Sequence, residues 1–496
     1  MYLIGYDIGS SSIKASLINT ENGSLVASAV SPETELEITA VRPGWAEQHP
    51  EIWWKHTILA TKKILAETKV NPKNIKAVGI SYQMHGLVIV DKDKNPLRPS
   101  IIWCDSRAVE IGDNAFKDIG KENCLKCFLN SPGNFTASKL KWVKENEPSL
   151  YAKIYKMMLP GDYIAMKMSG QIKSTPSGMS EGIIWNFSVN KLALELLDYY
   201  DINYDFVPEI VPTFSVQGEL NSDASEELGL HPGTLISYRA GDQPNNALSL
   251  NVLNPGDVAA TAGTSGVIYS VIDSPNFDSK SRVNIFVHVN NSEKAPRFGV
   301  LLCINGTGIL NRWLKQNTMG ESDTYVLMNQ LAAKAPAGSD GLYILPYGNG
   351  AERTLENKDI GASFHGLNFN THNKSHLLRA SQEGIVFAMN YGLEITRGIG
   401  VKVSKVRAGN TNMFLSPLFR EIFAAVTRVE VELYNTDGSQ GAARGAGIGA
   451  DIYKSPQDAF TGLKAVERIE PKPELVKLYQ EIYGNWLNIL NSKLKE

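Results

Sequence analysis

Twice in this chain an apolar run breaks at a glycine–hydroxyl tetrapeptide and then resumes. Near the start, Leu3-Ile4-Gly5-Tyr6-Asp7-Ile8 gives way to Gly9-Ser10-Ser11-Ser12 and continues as Ile13-Lys14-Ala15-Ser16-Leu17-Ile18. Midway, Val258 to Ala262 breaks into Gly263-Thr264-Ser265-Gly266 and continues as Val267-Ile268-Tyr269. Strand, glycine and hydroxyl turn, strand predicts a hairpin whose tip aims backbone N–H groups at an anion. A carboxylate accompanies each: Asp7 in the first hairpin, and Asp242 in Gly241-Asp242-Gln243-Pro244 ahead of the second. One phosphate-type hairpin in each half points to a duplicated phosphoryl-transfer machine.

A chain of 496 residues has room for two or three ordinary domains. A net charge of −3 leaves no electrostatic footprint for nucleic acid. No run of about eighteen apolar residues exists to span a membrane. The first residues read as a strand without the basic region and cleavage site of a signal peptide. Four cysteines make no disulfide scaffold, so a reducing cytoplasm is the expected location. Cys124-Leu-Lys-Cys127 lacks the second pair of a zinc site and the strand–helix context of a redox motif, so both read as structural thiols. His372 and His376 stand in a polar stretch and read as a solvated helix start.

Between the hairpins, short apolar runs alternate with helical periodicity, which predicts an α/β architecture. Strands are expected at Leu25 to Val30, Ala77 to Ser81, Leu87 to Val90 and Val283 to Val289. Helices are expected after Pro50, from Thr136, over Trp185 to Tyr200, and over His376 to Thr396. The turn Met84-His85-Gly86 interrupts a strand, where backbone and imidazole can face a polyol; a turn histidine packed on Trp103 is the equal alternative. Asn254-Pro-Gly256 makes a joint between halves, expected at residues 1–252 and 253–496. Asn305-Gly-Thr-Gly308 is a glycine-rich turn opening a helix, without the later glycine of a dinucleotide fingerprint. The small-residue helix from Asp437 to Gly449 allows close approach either of another backbone or of a flat adenine ring.

Taken in order, these pieces resemble the FGGY carbohydrate kinases of the hexokinase–actin fold group. The resemblance rests on Asp7-Ile-Gly-Ser-Ser-Ser-Ile-Lys14, Gly44-Trp-Ala-Glu-Gln48, Gln83-Met-His-Gly86 and Trp103-Cys-Asp-Ser-Arg107. It continues through Phe135-Thr136 with Lys139-Leu-Lys-Trp142, Gly241-Asp-Gln243, Gly263-Thr-Ser-Gly266, Leu345-Pro346 and Ala362-Ser-Phe-His-Gly-Leu367. It implies two duplicated lobes around a central cleft, with ATP and Mg2+ as cofactors and a small sugar as partner; a homodimer is compatible. The implied reaction is phosphorylation of a ketopentose such as D-xylulose, with ribulose, fuculose, gluconate or glycerol as alternatives. Asp242 would be the catalytic base and Asp7 the acidic group beside magnesium, with Asp242 as a second metal contact. Met84, His85, Gly86, Asp242 and Gln243 would contact the sugar. Gly9, Ser10, Ser11, Lys14, Thr264, Ser265, Gly308, Gly409 and Asn410 would hold ATP.

Chemistry supports that division of labour. Phosphoryl transfer has a loose transition state, so catalysis is mostly alignment and charge neutralisation. Mg2+ needs only one or two protein carboxylates, and the acceptor alcohol needs a base within ~3 Å. No G-x-x-x-x-G-K-S/T motif occurs, which leaves out the P-loop solution. By spacing alone, Asp242 could equally be a turn-capping aspartate. An actin- or chaperone-like ATPase would share the hairpins but not the polar run after Asp242. A sugar-responsive regulator would need a helix-turn-helix and a basic surface.

Overall fold

A computed structural model describes residues 1–496. The chain forms two compact units, each described by itself. The first gathers residues 1–251, 286–298 and 436–463; the second gathers 252–285, 299–435 and 464–496. Contacts therefore group the chain differently from a single cut at 252/253. The excursion 286–298 and the segment 436–463 both belong with the N-terminal residues.

The sheet of the first unit has six strands: β1 (Tyr2–Ile8), β2 (Ile13–Asn19), β3 (Leu25–Ser31), β4 (Ile75–Tyr82), β5 (Phe214–Glu219) and β6 (Leu235–Gly241). Their order is β5-β6-β4-β1-β2-β3. β1 to β3 form an antiparallel meander, β4 and β6 join parallel to β1, and β5 closes the edge antiparallel. The second sheet runs through β7 (Asp257–Ala262), β8 (Gly266–Ile272), β9 (Asn284–Val287), β10 (Phe298–Ile304), β11 (Lys405–Gly409), β12 (Val431–Tyr434) and β13 (Ala465–Ile469). Its order is β9-β10-β8-β7-β11-β12-β13. Again a hairpin, here β7–β8, is followed by two parallel neighbours and an antiparallel edge. The five-strand core order recurs, β6-β4-β1-β2-β3 and β12-β11-β7-β8-β10, while the antiparallel edge strand comes before its neighbour in the first sheet and after it in the second, which also adds β9.

Apolar residues on both faces of β1 and β4 are fully buried, as parallel strands covered by helices require. One cover is α1 (Pro50–Thr68), which begins with Pro50 in its first turn and ends at Lys69 in the left-handed region. Further along come α2 (Thr136–Asn146), α3 (Pro176–Glu181), α4 (Asp242–Ser249), α5 (Gly308–Thr318), α6 (Lys374–Gly398) and α7 (Pro417–Thr427). The last helix needed here is α8 (Gly438–Gly449).

α8 lies directly on β1 and β4, closer than side chains normally permit. A Cβ on Gly5 would fall 2.0 Å from the Ser439 carbonyl oxygen, and one on Gly79 would fall 1.9 Å from that of Ala442. A Cβ on Gly445 would strike the Tyr238 ring at 2.6 Å. Of the two readings open for these small residues, close approach of another backbone is the one observed.

Two local expectations differ from the structure. Only Leu194–Tyr199 of the stretch 185–200 is helical, because Trp185-Asn186 folds back on Lys191-Leu192 as a short hairpin around Asn190 in the left-handed region. The α2 start carries no side-chain cap from Thr136 or Ser138: Ser138 Oγ instead pairs with the Tyr200 hydroxyl at 2.8 Å.

The α8 seat gives a direct test. Gly5→Ala or Gly79→Ala forces backbone against backbone, so the loss should reach the upper end of the ~1–3 kcal/mol of an overpacked core. Thermal unfolding should show an apparent Tm several degrees lower, whereas Gly484→Ala, which meets nothing and sits inside a helix, should leave it equal or slightly higher.

Candidate active site

In the first unit the strand ends and helix starts collect charge. Asp7 sits near the end of β1, opposite Lys14 in the β1–β2 register. The hairpin tip is closed by Gly9 N–H donating to Ser12 O at 3.1 Å. Its carbonyls are engaged, Ser10 O by Gln48 Nε2 and Ser11 O by Leu36 N–H, both at 2.7 Å. The half-exposed indole of Trp103 donates to Ser10 Oγ at 3.3 Å.

Asp7 Oδ1 accepts from Ser81 Oγ at 2.9 Å. Its other oxygen faces the start of α8, where a Cβ on Gly438 would fall 2.5 Å away. The α8 N-cap is Asp437, which accepts from Gln440 N–H at 3.0 Å and takes the Lys14 ammonium at 2.6 Å. Lys14 is thus committed to a carboxylate rather than held out unpaired. Asp242 opens α4, and Asn245 of that helix donates to Gly438 O at 2.8 Å. Asp7, Asp242 and Asp437 therefore share one neighbourhood with a single lysine.

That arrangement sets the protonation equilibria. Burial, and secondarily the Asp7 charge, push Asp242 up to about 7, while donors from Gln243 pull the other way. Burial also raises Asp7, with Asp437 adding to the rise and Ser81 and Lys14 opposing it. Asp437 lies below its ordinary value because Lys14 and the α8 amide outweigh its burial. A divalent cation fits two such oxygen donors, since it relieves their mutual repulsion and needs few protein ligands. No cluster of three metal-ligating side chains exists.

Beside Asp242 is the turn after β4. Gln83 N–H donates to Ile8 O at 2.9 Å, Met84 is buried, and His85 adopts φ +64. A carbonyl can only accept, so the 2.9 Å contact between His85 Nδ1 and Glu181 O places a proton on Nδ1. The imidazole packs edge-on to Phe135 at 4.7 Å and lies 5.5 Å from Phe286, rather than on Trp103. Gly86 is required by contact, since a Cβ there would meet Pro160 Cγ at 2.6 Å. Lys139, fully buried on α2, donates to His85 O at 2.8 Å and Ile102 O at 3.0 Å. Desolvation lowers its ammonium to about 7, against the pull of Asp105.

In the second unit the loop Gly263-Thr264-Ser265 connects β7 to β8. The start of α5 rests on it: Gly308 N–H donates to Gly263 O at 2.9 Å and Ile309 N–H to Thr264 O at 3.1 Å. A cavity of 400 Å³ opens there, lined by Gly263, Thr264, Gly308 and Asn412, with Tyr325 and Leu415 on its apolar side. Its size suits a flat base with a sugar. Gly409 ends β11, and Asn410 N–H donates to Tyr434 O at 2.9 Å; neither lines the cavity, which Asn412 does. Thr264 and Gly308 both line it, and Ser265 does not.

Sequence reasoning missed Asp437, Ser81, Glu181, Phe286, Tyr325 and Asn412. Asp437 had a usable signal, an aspartate at the N-cap position of a helix. Phe286 and Glu181 had none, since only the tertiary fold carries them to the His85 turn.

A five-strand core order given twice, each time beginning with a glycine–hydroxyl hairpin, with clustered carboxylates in one unit and a nucleoside-sized cavity in the other, is that of a two-lobed kinase. The chain belongs to the FGGY family of carbohydrate kinases: residues 2–249 match the N-terminal domain of that family and residues 258–450 the C-terminal domain. It is similar to the xylulose kinase of Bacillus subtilis (strain 168), with 29% identity over 100% of this chain and 99% of the relative. Among solved structures it superposes on a xylulose kinase from Rhodospirillum rubrum with a TM-score of 0.88, 24% identity and 99% of both chains covered. A gluconate kinase from Lactobacillus acidophilus gives a TM-score of 0.89 at 24% identity, over 99% of this chain and 98% of that one. No helix is long and apolar enough to cross a membrane.

Lys139→Met tests the architecture of the His85 turn. Removing the ammonium takes a charged donor from the carbonyls of His85 and Ile102, the latter keeping Asp105 N–H at 3.2 Å, at a cost of ~1–3 kcal/mol. Titration of the variant with sugar should show weakened acceptor binding, and ATP binding should be unaltered.

Proposed function

We propose that this carbohydrate kinase transfers the γ-phosphoryl group of ATP to a ketopentose, D-xylulose foremost, by in-line displacement with Asp242 as general base. The single observation that carries the reading is Asp242 itself. It is a partly exposed carboxylate at a helix start beside Asp7, raised to about 7 by desolvation and the Asp7 charge, where a base is both deprotonated and strong enough to accept a proton. The full-length similarity to xylulose kinases supports the choice of acceptor.

In this reading the first unit holds the acceptor against Met84, His85 and Gln243, with Phe135 and Phe286 as the apolar wall. The second unit takes the nucleoside in the cavity beside Thr264 and Gly308. Asp7 and Asp242 are the residues that would hold Mg2+, which neutralises phosphate charge when bound. Lys14 keeps Asp437 paired, so that the excess negative charge stays on Asp7 and Asp242.

ADP release should be stimulated most by D-xylulose in a panel with ribulose, fuculose, gluconate and glycerol. A larger kcat/KM for another member would reassign the acceptor. Asp242→Ala should fold and bind sugar while kcat drops ~100- to 10,000-fold; near-normal turnover would remove Asp242 from the chemistry.

The pH profile follows from the same group. Below about 7 Asp242 carries a proton and cannot accept another, so kcat/KM should rise with pH through a midpoint at or below about 7. A bound cation favours the carboxylate form, so this midpoint should move down as Mg2+ concentration rises.

A further inference from the structure

Behind the His85 turn lies a carboxyl group that the fold uses sparingly. Glu181, the last residue of α3, is 1% exposed, and the Tyr82 hydroxyl is the one side chain that hydrogen-bonds its carboxyl group. The nearby cations are committed elsewhere. Arg239 is taken by Asp162, Gln217 Oε1 and Lys173 O, and Lys139 by His85 O and Ile102 O. The Tyr82 hydroxyl stands beside the carboxyl group, and burial, with Asp242 and Asp162 adding to it, raises Glu181 well above an ordinary glutamate.

The group is nevertheless held firmly. Thr175 Oγ1 caps α3 by accepting Gly178 N–H at 3.1 Å, and Ser180 Oγ accepts Val287 N–H at 2.9 Å. The Glu181 carbonyl carries His85 Nδ1. Its side chain lies over the residue before the base: a Cβ on Gly241 would fall 2.5 Å from a Glu181 carboxyl oxygen and 2.5 Å from Met84 Cγ. Carboxyl and thioether therefore share the space above Gly241, and Met84, 4% exposed, is the cover. An unbranched methionine can vacate such a position at small cost. A buried acid that keeps only one hydroxyl donor leaves acceptor positions unfilled, a net loss to the folded chain. A glutamate kept there, among Met84, His85 and Asp242, has a further partner that arrives with the substrate.

We infer that Glu181 is a specificity-determining residue whose carboxyl group takes one hydroxyl of the bound acceptor, other than the one phosphorylated. The inference rests on the kinase reading above and names the acceptor class, a polyol with a hydroxyl at that position. A site built to bond a hydroxyl rejects the analogue lacking it, because the buried acceptor positions are again left unfilled.

The test crosses substrate with residue. The acceptor turned over best by the full chain is compared with its monodeoxy analogues, for wild type and Glu181→Ala. With wild type, one analogue should lose about tenfold to a hundredfold in kcat/KM. With Glu181→Ala that penalty should shrink to about threefold or less, the penalties of the other analogues and the KM for ATP staying as in wild type. Equal penalties for every analogue in both proteins would overturn the inference and leave the kinase reading intact. No turnover of any acceptor by wild type would overturn both. Should Glu181→Ala fail to fold, the same ratio is read on Glu181→Gln, where an unchanged penalty overturns the inference and a reduced one supports it.

Discussion

The active site depends on a contact in which no side chain takes part. Gly5 and Gly79 leave a bare strip on β1 and β4, and α8 lies in it with its carbonyls against the strand backbone. Any other residue at either position would lift the helix by a side chain's width. Because α8 sits so low, its first turn comes level with the end of β1, and Gly438 lies against Asp7. Ser16 and Ser439 hydroxyls seal the contact at 2.7 Å, and Lys14 reaches Asp437 from the neighbouring strand. The carboxylate cluster is thus a product of backbone packing before it is one of electrostatics.

Charge is then apportioned by pairing. Where a carboxylate has a cation of its own, it is stable and chemically quiet: Asp437 with Lys14, Asp162 with Arg239, Asp105 and Glu47 with Arg107. Arg107 is further held between the rings of Trp45 and Trp142, at 3.8 and 4.8 Å from their centroids. Asp7, Asp242 and the buried Glu181 are acids of this region left without such a partner, and all three are raised by desolvation. Unpaired buried charge is costly for the fold, so its concentration around one turn marks where ligands complete the structure.

Local chemistry made much of this readable. Gly9 to Ser12 and Gly263 to Gly266 are turns by composition, the strands beside them are apolar by run, and α6 follows from its periodicity. Asp242 stood out as a carboxylate between Gly241 and the polar run Gln243 to Asn246, ahead of the second hairpin. What was illegible was long-range. Nothing near Asp437 in the sequence says that it meets Lys14, and nothing in Phe286 says that it reaches His85. Trp185 to Tyr200 misled for a related reason: its apolar spacing suits a helix, but positive φ at Asn190 turns the chain into a hairpin first. The choice between backbone and adenine at Gly445 was likewise decided by a tertiary neighbour, Tyr238.

The origin of α8 late in the chain has a consequence for biosynthesis. While the first 251 residues emerge from a ribosome, the glycine strip on β1 and β4 has nothing to cover it. Its partner arrives only after the whole second unit has been translated but for its last strand and helix. The N-terminal lobe therefore cannot reach its final form co-translationally in the usual domain-by-domain order. Contacts spanning more than four hundred residues, such as Lys14 with Asp437, must wait for a nearly complete polypeptide.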